Sequence, residues 1–285
     1  MLWHQMTSFF TSAFYFQGTN WKLILLAIAL GLVWGTIWLS LYRPPLFKKP
    51  WLWAVAFVSA ILTWSAVAFA QIPLQYWTGQ ALVHFWSVAT LNKWIYLAAI
   101  PQILLSGIVQ EAAKMAPVYF SWRRTGRSFT PRFGLLVGAA SGAGFGIFEA
   151  IWVHNQILAS GWSFASVTTN GFNGLLGFWE RIFAVGFHIS SAALVGYGIA
   201  KRKGWQFYLI AAFLHGVLNY SVILIAMHRL TNIQDEIITA VYVACITAVV
   251  IWLLRCKTKE APASPTSADS PVITPVAAPQ PPVNP

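Results

Sequence analysis

Residues 107–120 read GIVQEAAKMAPVYF and place a glutamate, Glu111, and a lysine, Lys114, one helical turn apart in an otherwise apolar segment. A charged side chain at the centre of a bilayer costs about 3 kcal/mol on insertion scales. Such side chains therefore face the interior of a helix bundle or a water-filled cavity instead of lipid. The stretch predicts a membrane-embedded bundle with a polar interior.

The composition of the whole chain favours the same class of protein. Of its 285 residues, 58% are hydrophobic and only 9% are charged, whereas charged residues make up about 25% of a soluble domain. A membrane span needs about 20 apolar residues to cross roughly 30 Å of hydrocarbon. We therefore predict an all-α fold, a polytopic transmembrane helical bundle of about seven spans.

The apolar runs divide the chain into a membrane domain and two terminal segments. The predicted spans are 21–42, 51–73, 94–122, 133–158, 174–200, 205–228 and 236–254. Residues 74–92 are predicted to form an outer loop or an interfacial helix. The predicted domains are an N-terminal outer segment (1–20), a transmembrane domain (21–256) and a disordered cytoplasmic tail rich in proline and alanine (257–285).

The net charge of +11 does not indicate nucleic-acid binding, because most of the basic residues lie in short loops between apolar runs. Basic loops at alternate crossings are typical of the cytoplasmic side of a membrane protein. This pattern predicts an outside N-terminus, an inside C-terminus and a multi-pass location in the cell (plasma or inner) membrane. The four clusters are Arg43, Lys48 and Lys49; Arg123, Arg124, Arg127 and Arg132; Lys201, Arg202 and Lys203; and Arg255, Lys257 and Lys259.

The two cysteines, Cys245 and Cys256, are too few for a disulfide framework or a thiolate metal site. Carboxylates and histidines within the predicted spans carry more information. Three of the seven acidic residues, Glu111, Glu149 and Glu180, fall in predicted spans, and the others, Asp235, Glu236, Glu260 and Asp269, are assigned to loops or the tail. The chain thus concentrates part of its scarce negative charge at lipid depth.

Four consecutive helices bring polar side chains to similar depths. At 1.5 Å per residue, Glu111 and His215 lie about 15 Å from the basic ends of their helices, His188 about 18 Å and Glu149 about 24 Å. His215 and Asn219 are four residues apart and share a helix face. The sequence therefore predicts one polar site inside the bundle.

Each of these features also has a purely structural interpretation. Glu111 and Lys114 are consistent with a structural ion pair, and His215 and Asn219 with interhelical hydrogen bonds. The stripe of Gly138, Gly142 and Gly146 predicts close helix packing. Glu180 and Arg181, near the outer end of their span, are consistent with mutual charge neutralisation at the membrane interface.

The order of these motifs resembles that of the glutamic-type intramembrane proteases. The matching segments are QEAAK at 110–114, FGIFE at 145–149, a following span with His188, and HGVLN at 215–219. That superfamily includes the PrsW and YhfC families and is related to the CAAX prenyl endopeptidases and bacteriocin-processing enzymes. The lead into FEA and the segment ERIFAVGFHISSA are most similar to the YhfC branch, and residues 94–228 form the protease-like core.

The resemblance implies a site and a reaction. Glu111 and Glu149 would activate water, His215 with Asn219 would bind the oxyanion, and His188 would orient water or shuttle a proton. Lys114, Phe145 and Arg181 would support them. The family motif often has two adjacent glutamates, and here Gln110 stands at the first position. Whether Glu111 or Glu149 is the base therefore stays open, as does a pseudoenzyme.

The substrate implied is a transmembrane or membrane-proximal polypeptide that enters laterally between helices. No cofactor is expected, although two carboxylates and two histidines also suit a zinc ion and His₂Glu is an accepted catalytic set. The other alternative is non-enzymatic: a proton-coupled transporter or a scaffold subunit with a buried Glu/His network. The lipid bilayer is the remaining partner, and the sequence leaves the oligomeric state open.

Overall fold

The computed structural model describes residues 2–13 and 20–256, and these residues form an all-helical bundle. In chain order, its helices are α1 (Leu2–Thr11), α2 (Trp21–Tyr42), α3 (Trp51–Ala66), α4 (Ile72–Phe85), α5 (Val88–Lys93), α6 (Ile95–Ala98), α7 (Ile100–Arg124), α8 (Pro131–Ala159), α9 (Phe164–Asn170), α10 (Leu176–Ala200), α11 (Gly204–Ala226) and α12 (Asn232–Arg255). The predicted fold class is confirmed.

Seven helical segments of the described residues are long and apolar enough to cross a membrane, as predicted. The second differs most from its prediction. Its helix continues without a break from Trp51 to Phe85 through a π-helical turn at Val67–Gln71, so most of the segment predicted as an outer loop or interfacial helix extends this span. The predicted tail, 257–285, lies outside the described residues.

Local sequence signals set where the long helices begin. The Asn20 side chain accepts hydrogen bonds from the backbone of the first turn of α2. Thr130 caps α8 just before Pro131, which needs no hydrogen-bond partner for its nitrogen at a first helical position. Thr231 and Gln234 form a capping box at the start of α12.

Helices α8 and α10 form the centre of the bundle and are the most buried of the seven spans. A Cβ added at Gly138 or Gly142 would collide with the backbone of α10 at Ala192 or His188, and one at Gly144 would collide with α3. The glycine stripe therefore packs helices backbone to backbone, as predicted. This close approach brings α8 and α10 together at the level of His188.

The described members of the basic clusters lie at one end of the bundle, between α2 and α3, between α7 and α8, between α10 and α11, and at the end of α12. The opposite end contains the C-termini of α8 and α11 and the N-termini of α10 and α12. We refer to it as the non-basic end. That it faces the outside of the cell stays a prediction from the positive-inside rule.

Candidate active site

Lys114 of α7 lies at the centre of a buried polar cluster. Its Nζ donates to Glu111 Oε1 at 2.6 Å and to Ser191 Oγ at 3.2 Å, and it lies 2.9 Å from His188 Nδ1. An ammonium group carries three N–H donors and no acceptor, so these contacts use all three and His188 Nδ1 must accept. The side chains of Lys114 and Glu111 are fully buried.

Glu111 receives several donors on one oxygen. Besides Lys114, Ser191 Oγ lies 3.2 Å and His215 Nδ1 lies 2.8 Å from Glu111 Oε1. Glu111 Oε2 is buried without a hydrogen-bond partner among the described residues. Glu111 therefore holds His215 of α11 and Ser191 of α10 against α7.

Glu149 of α8 belongs to the same network but has different surroundings. His188 Nε2 and Arg181 Nη1 each lie 3.0 Å from its Oε2. Because His188 Nδ1 accepts from Lys114, its Nε2 carries the proton and donates to Glu149. The Glu149 side chain is 21% exposed. A continuous chain of contacts thus links Glu111, Lys114, His188 and Glu149.

Aromatic rings and one hydroxyl fix the histidines and the helix that carries Lys114. The Phe145 ring meets His188 edge-on, with centroids 5.0 Å apart, and Phe187 meets His215 at 5.2 Å. Ser141 of α8 donates to the backbone carbonyl of Lys114 at 2.7 Å. Phe145, predicted as a supporting residue, thus packs against His188 directly.

Asn219 shares a face of α11 with His215, as its spacing predicts, and its amide reaches α7. Asn219 Nδ2 donates to Ser106 Oγ at 2.8 Å. This bond holds the end of the amide that carries the donors, and Nδ2 has a second N–H. Asn219 is therefore oriented without losing its capacity to donate.

A cavity of about 220 Å³ opens beside these side chains in the half of the bundle nearer the non-basic end. Several water molecules fit in this volume. Glu149, His188, His215 and Asn219 all line the cavity, together with Gln110, Glu180, Arg181, Ala184, Leu218, Ser221, Val222, Asp235 and Thr239. Glu111 and Lys114 lie behind the two histidines. Of the predicted catalytic residues, four face the cavity and Glu111 does not.

Gln110 faces the cavity where the resemblance suggests a second glutamate. Its Nε2 donates to Gln71 Oε1 at 3.1 Å, at the end of the π-helical turn. Its Oε1 is buried without a hydrogen-bond partner among the described residues. Single π-helical turns are frequent at functional sites, and this one brings Gln71 within hydrogen-bond distance of Gln110.

One set of side chains in the described residues suits a metal ion by type and spacing. Glu111, His188 and His215 each offer a ligand atom, and these atoms lie within 4.8 Å of one another. Two histidines and a glutamate are an accepted set for catalytic zinc, and Glu111 Oε2 is unpartnered. Lys114 Nζ, however, already contacts Glu111 Oε1 and His188 Nδ1.

The structure adds residues that the sequence did not single out. Asp235 and Glu236 belong to the first turn of α12 and are each only 8% exposed, so their assignment to a loop is wrong, whereas the predicted start of the span at residue 236 lies within the helix. The capping signal at Thr231 and Gln234 could have placed them inside the helix. Ser191 gave no signal, because a serine in an apolar span is common.

Arg181 pairs with Glu180, as predicted, but also with Glu149 of another helix. The pairing across helices depends on packing that sequence spacing does not encode.

A comparison with protein-family models matches residues 47–254 to a family described as PrsW family intramembrane metalloprotease. No curated protein and no solved structure matches the chain. The matched range contains α3 to α11 and nearly all of α12, and therefore every residue of the site.

Proposed function

We propose that Glu149 activates the water for peptide-bond hydrolysis in this chain, which belongs to the PrsW family of intramembrane proteases. Family membership and seven apolar helices identify a multi-pass membrane protein of a peptidase family. The proposal concerns the residues that carry out the reaction. The observation that supports it best is that Glu149 lines the cavity while Glu111 is fully buried.

The hydrogen bonds of Glu149 leave one oxygen available to water. His188 and Arg181 both donate to Oε2, so Oε1 is the oxygen that can accept a proton from water in the cavity. A positioned general base of this kind contributes about 10²–10⁴-fold to a rate. His188 acts as a positioning residue, because Lys114 fixes its tautomer and its Nε2–H holds the carboxylate.

The proton and the bonds balance without a further reactant. Water gives its proton to Glu149 Oε1 as its oxygen attacks the scissile carbonyl, and the carbonyl oxygen becomes an oxyanion. The C–N bond then breaks, and the proton on Glu149 passes to the leaving amine. One water is consumed, and a carboxyl and an amino group are formed.

His215 and Asn219 are the proposed donors to the oxyanion. Asn219 retains an N–H after its bond to Ser106, and both side chains line the cavity. The Nδ1 of His215 is directed at Glu111, so donation from Nε2 requires a ring protonated on both nitrogens. Glu111 and Lys114 hold this arrangement from behind.

The substrate we propose is a transmembrane or membrane-proximal polypeptide in the cell (plasma or inner) membrane. The cavity is lined by the non-basic halves of α8, α10, α11 and α12. Given the predicted orientation, cleavage takes place in the outer half of the bilayer or close to its outer surface. This location follows from the positive-inside rule and the position of the cavity.

A metal-assisted form of the same reaction is the second candidate, favoured by the family description and by the Glu111, His188 and His215 set. These three residues would hold the ion, which would supply Lewis-acid polarisation of the carbonyl and of water. Metal content of the purified protein, measured by elemental analysis with and without chelator treatment, separates the two forms. Full cleavage by metal-free protein supports the glutamate-only form.

The test is cleavage of a co-expressed membrane polypeptide by the wild type and by Glu149→Gln. We expect about a thousandfold slower cleavage with unchanged expression and melting temperature, because the substitution removes the base but keeps a hydrogen-bond acceptor. Gln80→Ala serves as a matched control, because Gln80 is an exposed residue of α4 and does not line the cavity. Wild-type rates in Glu149→Gln would overturn the proposal.

A further inference from the structure

The cavity has a second region that the proposed chemistry does not use. Toward the non-basic end, Asp235 in the first turn of α12 lines its wall, next to Glu236 and across from Glu180 at the start of α10. Asp235 and Glu236 are each only 8% exposed. Two acidic residues, Glu180 and Asp235, therefore line one end of a small cavity, and Glu236 lies close to both of them.

No cation of the described residues forms an ion pair with Asp235 or Glu236. Arg181 is the cation close to them, but its Nε and Nη2 donate to Glu180 and its Nη1 to Glu149. Arg181 still acts on Glu236 electrostatically, but its hydrogen bonds go to Glu180 and Glu149, so it donates to neither Asp235 nor Glu236.

Two of their oxygens also lack donors. Asp235 Oδ1 and Glu236 Oε2 are buried with no hydrogen-bond partner among the described residues. An acidic residue in the first turn of a helix interacts favourably with the helix dipole. This interaction would account for Asp235 if its side chain were exposed to solvent. It does not explain a buried oxygen without a donor, because such a group loses its hydrogen bonds to water and gains none in the protein.

The arrangement suits an organic cation better than a metal ion. In the described residues, one set of three carboxylate or imidazole groups is close enough for a single metal ion, and it comprises Glu111, His188 and His215. The carboxylates of Glu180, Asp235 and Glu236 are not part of such a set. An ammonium or guanidinium group has several donors at the end of a flexible stem and can satisfy separated oxygens.

We infer that Asp235, with Glu236 beside it, forms a subsite that binds a lysine or arginine side chain of the substrate, close to the bond that is cleaved. This inference rests on the proposed function, because it names the substrate class of the same cavity. The basic side chain supplies the donors that Asp235 Oδ1 and Glu236 Oε2 lack. Glu180 also lines the cavity but remains bound to Arg181.

The subsite also gives direction to the substrate. An apolar transmembrane segment fits between lipid-facing helices, and a basic residue at its outer end would reach Asp235 while the chain passes Glu149. A substrate with a neutral or acidic residue there would leave the two carboxylates unpaired. Such a substrate would lose more affinity than one that only lacks an apolar contact. The reason is that buried polar groups of the protein would be left without hydrogen-bond partners.

The test uses synthetic peptides with an apolar segment of about 20 residues and a polar flank. One lysine is moved through the flank and compared at each position with glutamine. Binding to the Glu149→Gln protein in lipid nanodiscs is measured by fluorescence anisotropy, and cleavage is measured with the wild type. At one or two positions we expect lysine to bind about tenfold more tightly than glutamine.

Asp235→Asn and Glu236→Gln should each bring the ratio of lysine-peptide to glutamine-peptide affinity close to one. Asn232→Ala, on the exposed side of the same turn, should retain the wild-type ratio. Equal binding of lysine and glutamine peptides at every position would overturn the inference, as would a preference that survives both substitutions. The peptide comparison itself requires no substitution near Asp235, so a poorly folding variant does not remove the test.

The two arms separate this inference from the proposed function. A lysine preference in binding without cleavage by the wild type retains the subsite and contradicts the protease mechanism. Cleavage without a lysine preference retains the mechanism and contradicts the subsite.

Discussion

The two ends of the polar network differ in burial and in how completely they are paired. Around Glu111, the side chains are fully buried, Lys114 has all three donors satisfied, and Glu111 Oε1 collects contacts from α7, α10 and α11. Around Glu149, the carboxylate is 21% exposed and borders a cavity with an excess of acidic groups. The first end holds helices together, and the second is where we propose that the substrate binds.

Lipid depth alone therefore does not distinguish the carboxylate that we propose as the base from one that holds helices together. Both glutamates lie inside predicted spans and in segments that resemble motifs of the family. Gln110 and Glu111 are neighbours, yet a rotation of roughly 100° per residue directs one to the cavity and the other to the interior. The orientation of each side chain therefore separates an anchor from a candidate base.

The largest effect on stability is expected where the buried network is broken. Lys114→Met leaves the Glu111 carboxylate without its cation in a fully buried place, which costs about 3–5 kcal/mol. A large drop in melting temperature in detergent, with low expression, is the expected result. A melting temperature equal to that of the wild type would show that the pair does not hold the bundle.

At the cavity, Asn219→Ala should affect catalysis more than stability. Loss of one oxyanion donor costs about 10²–10³-fold in rate. Cleavage assays should therefore show a rate at least about a hundredfold lower with a nearly unchanged KM. Ser106→Ala is the matched control, because it removes the anchor of Asn219 and not the donor. An equal loss in both variants would assign Asn219 a structural role only.

The close contact between α8 and α10 positions His188, which links the Lys114 end of the polar network to the Glu149 end. Gly142→Ala places a methyl group against the backbone of His188, and overpacking of this kind costs about 1–3 kcal/mol. We expect a lower melting temperature and slower cleavage together. Gly79→Ala, whose new methyl group would meet only the end of the Gln102 side chain at 3.3 Å, should leave both unchanged.

The smallest effect is expected from Gln110→Glu, which restores the two adjacent glutamates of the family motif. If Glu149 is the base, an extra carboxylate beside it changes cleavage by less than about tenfold, because the base and its positioning residue are already present. A gain of a hundredfold or more in single-turnover cleavage would instead transfer the role of base to position 110.

Much of this architecture could be predicted from the sequence, because membrane spans depend on local composition. Bounds of the first span, Trp21–Tyr42, agree with the prediction to the residue, and the helix-face pairs of Glu111 with Lys114 and of His215 with Asn219 follow from spacing. The glycine stripe likewise indicated the close packing of α8.

The rest depended on how helices rotate and pack against one another. Two contacts join residues from different helices: the Arg181 to Glu149 pair and the Ser191 contact with Lys114. The burial of Asp235 likewise depends on how α12 packs against its neighbours. No spacing within one helix encodes such contacts. Sequence spacing also does not decide whether Glu111 or Glu149 is the better candidate for the base. The position of the cavity favours Glu149, which lines it.

We propose that Glu149 acts on the reacting water while Glu111 and Lys114 hold the site. One comparison of cleavage rates per folded molecule, between Glu149→Gln and the double variant Glu111→Gln/Lys114→Met, distinguishes these roles. The double variant removes both buried charges together, which avoids an unpaired ion. We predict that it cleaves at least about tenfold faster than Glu149→Gln. A folded double variant without cleavage, beside an active Glu149→Gln, would contradict the account.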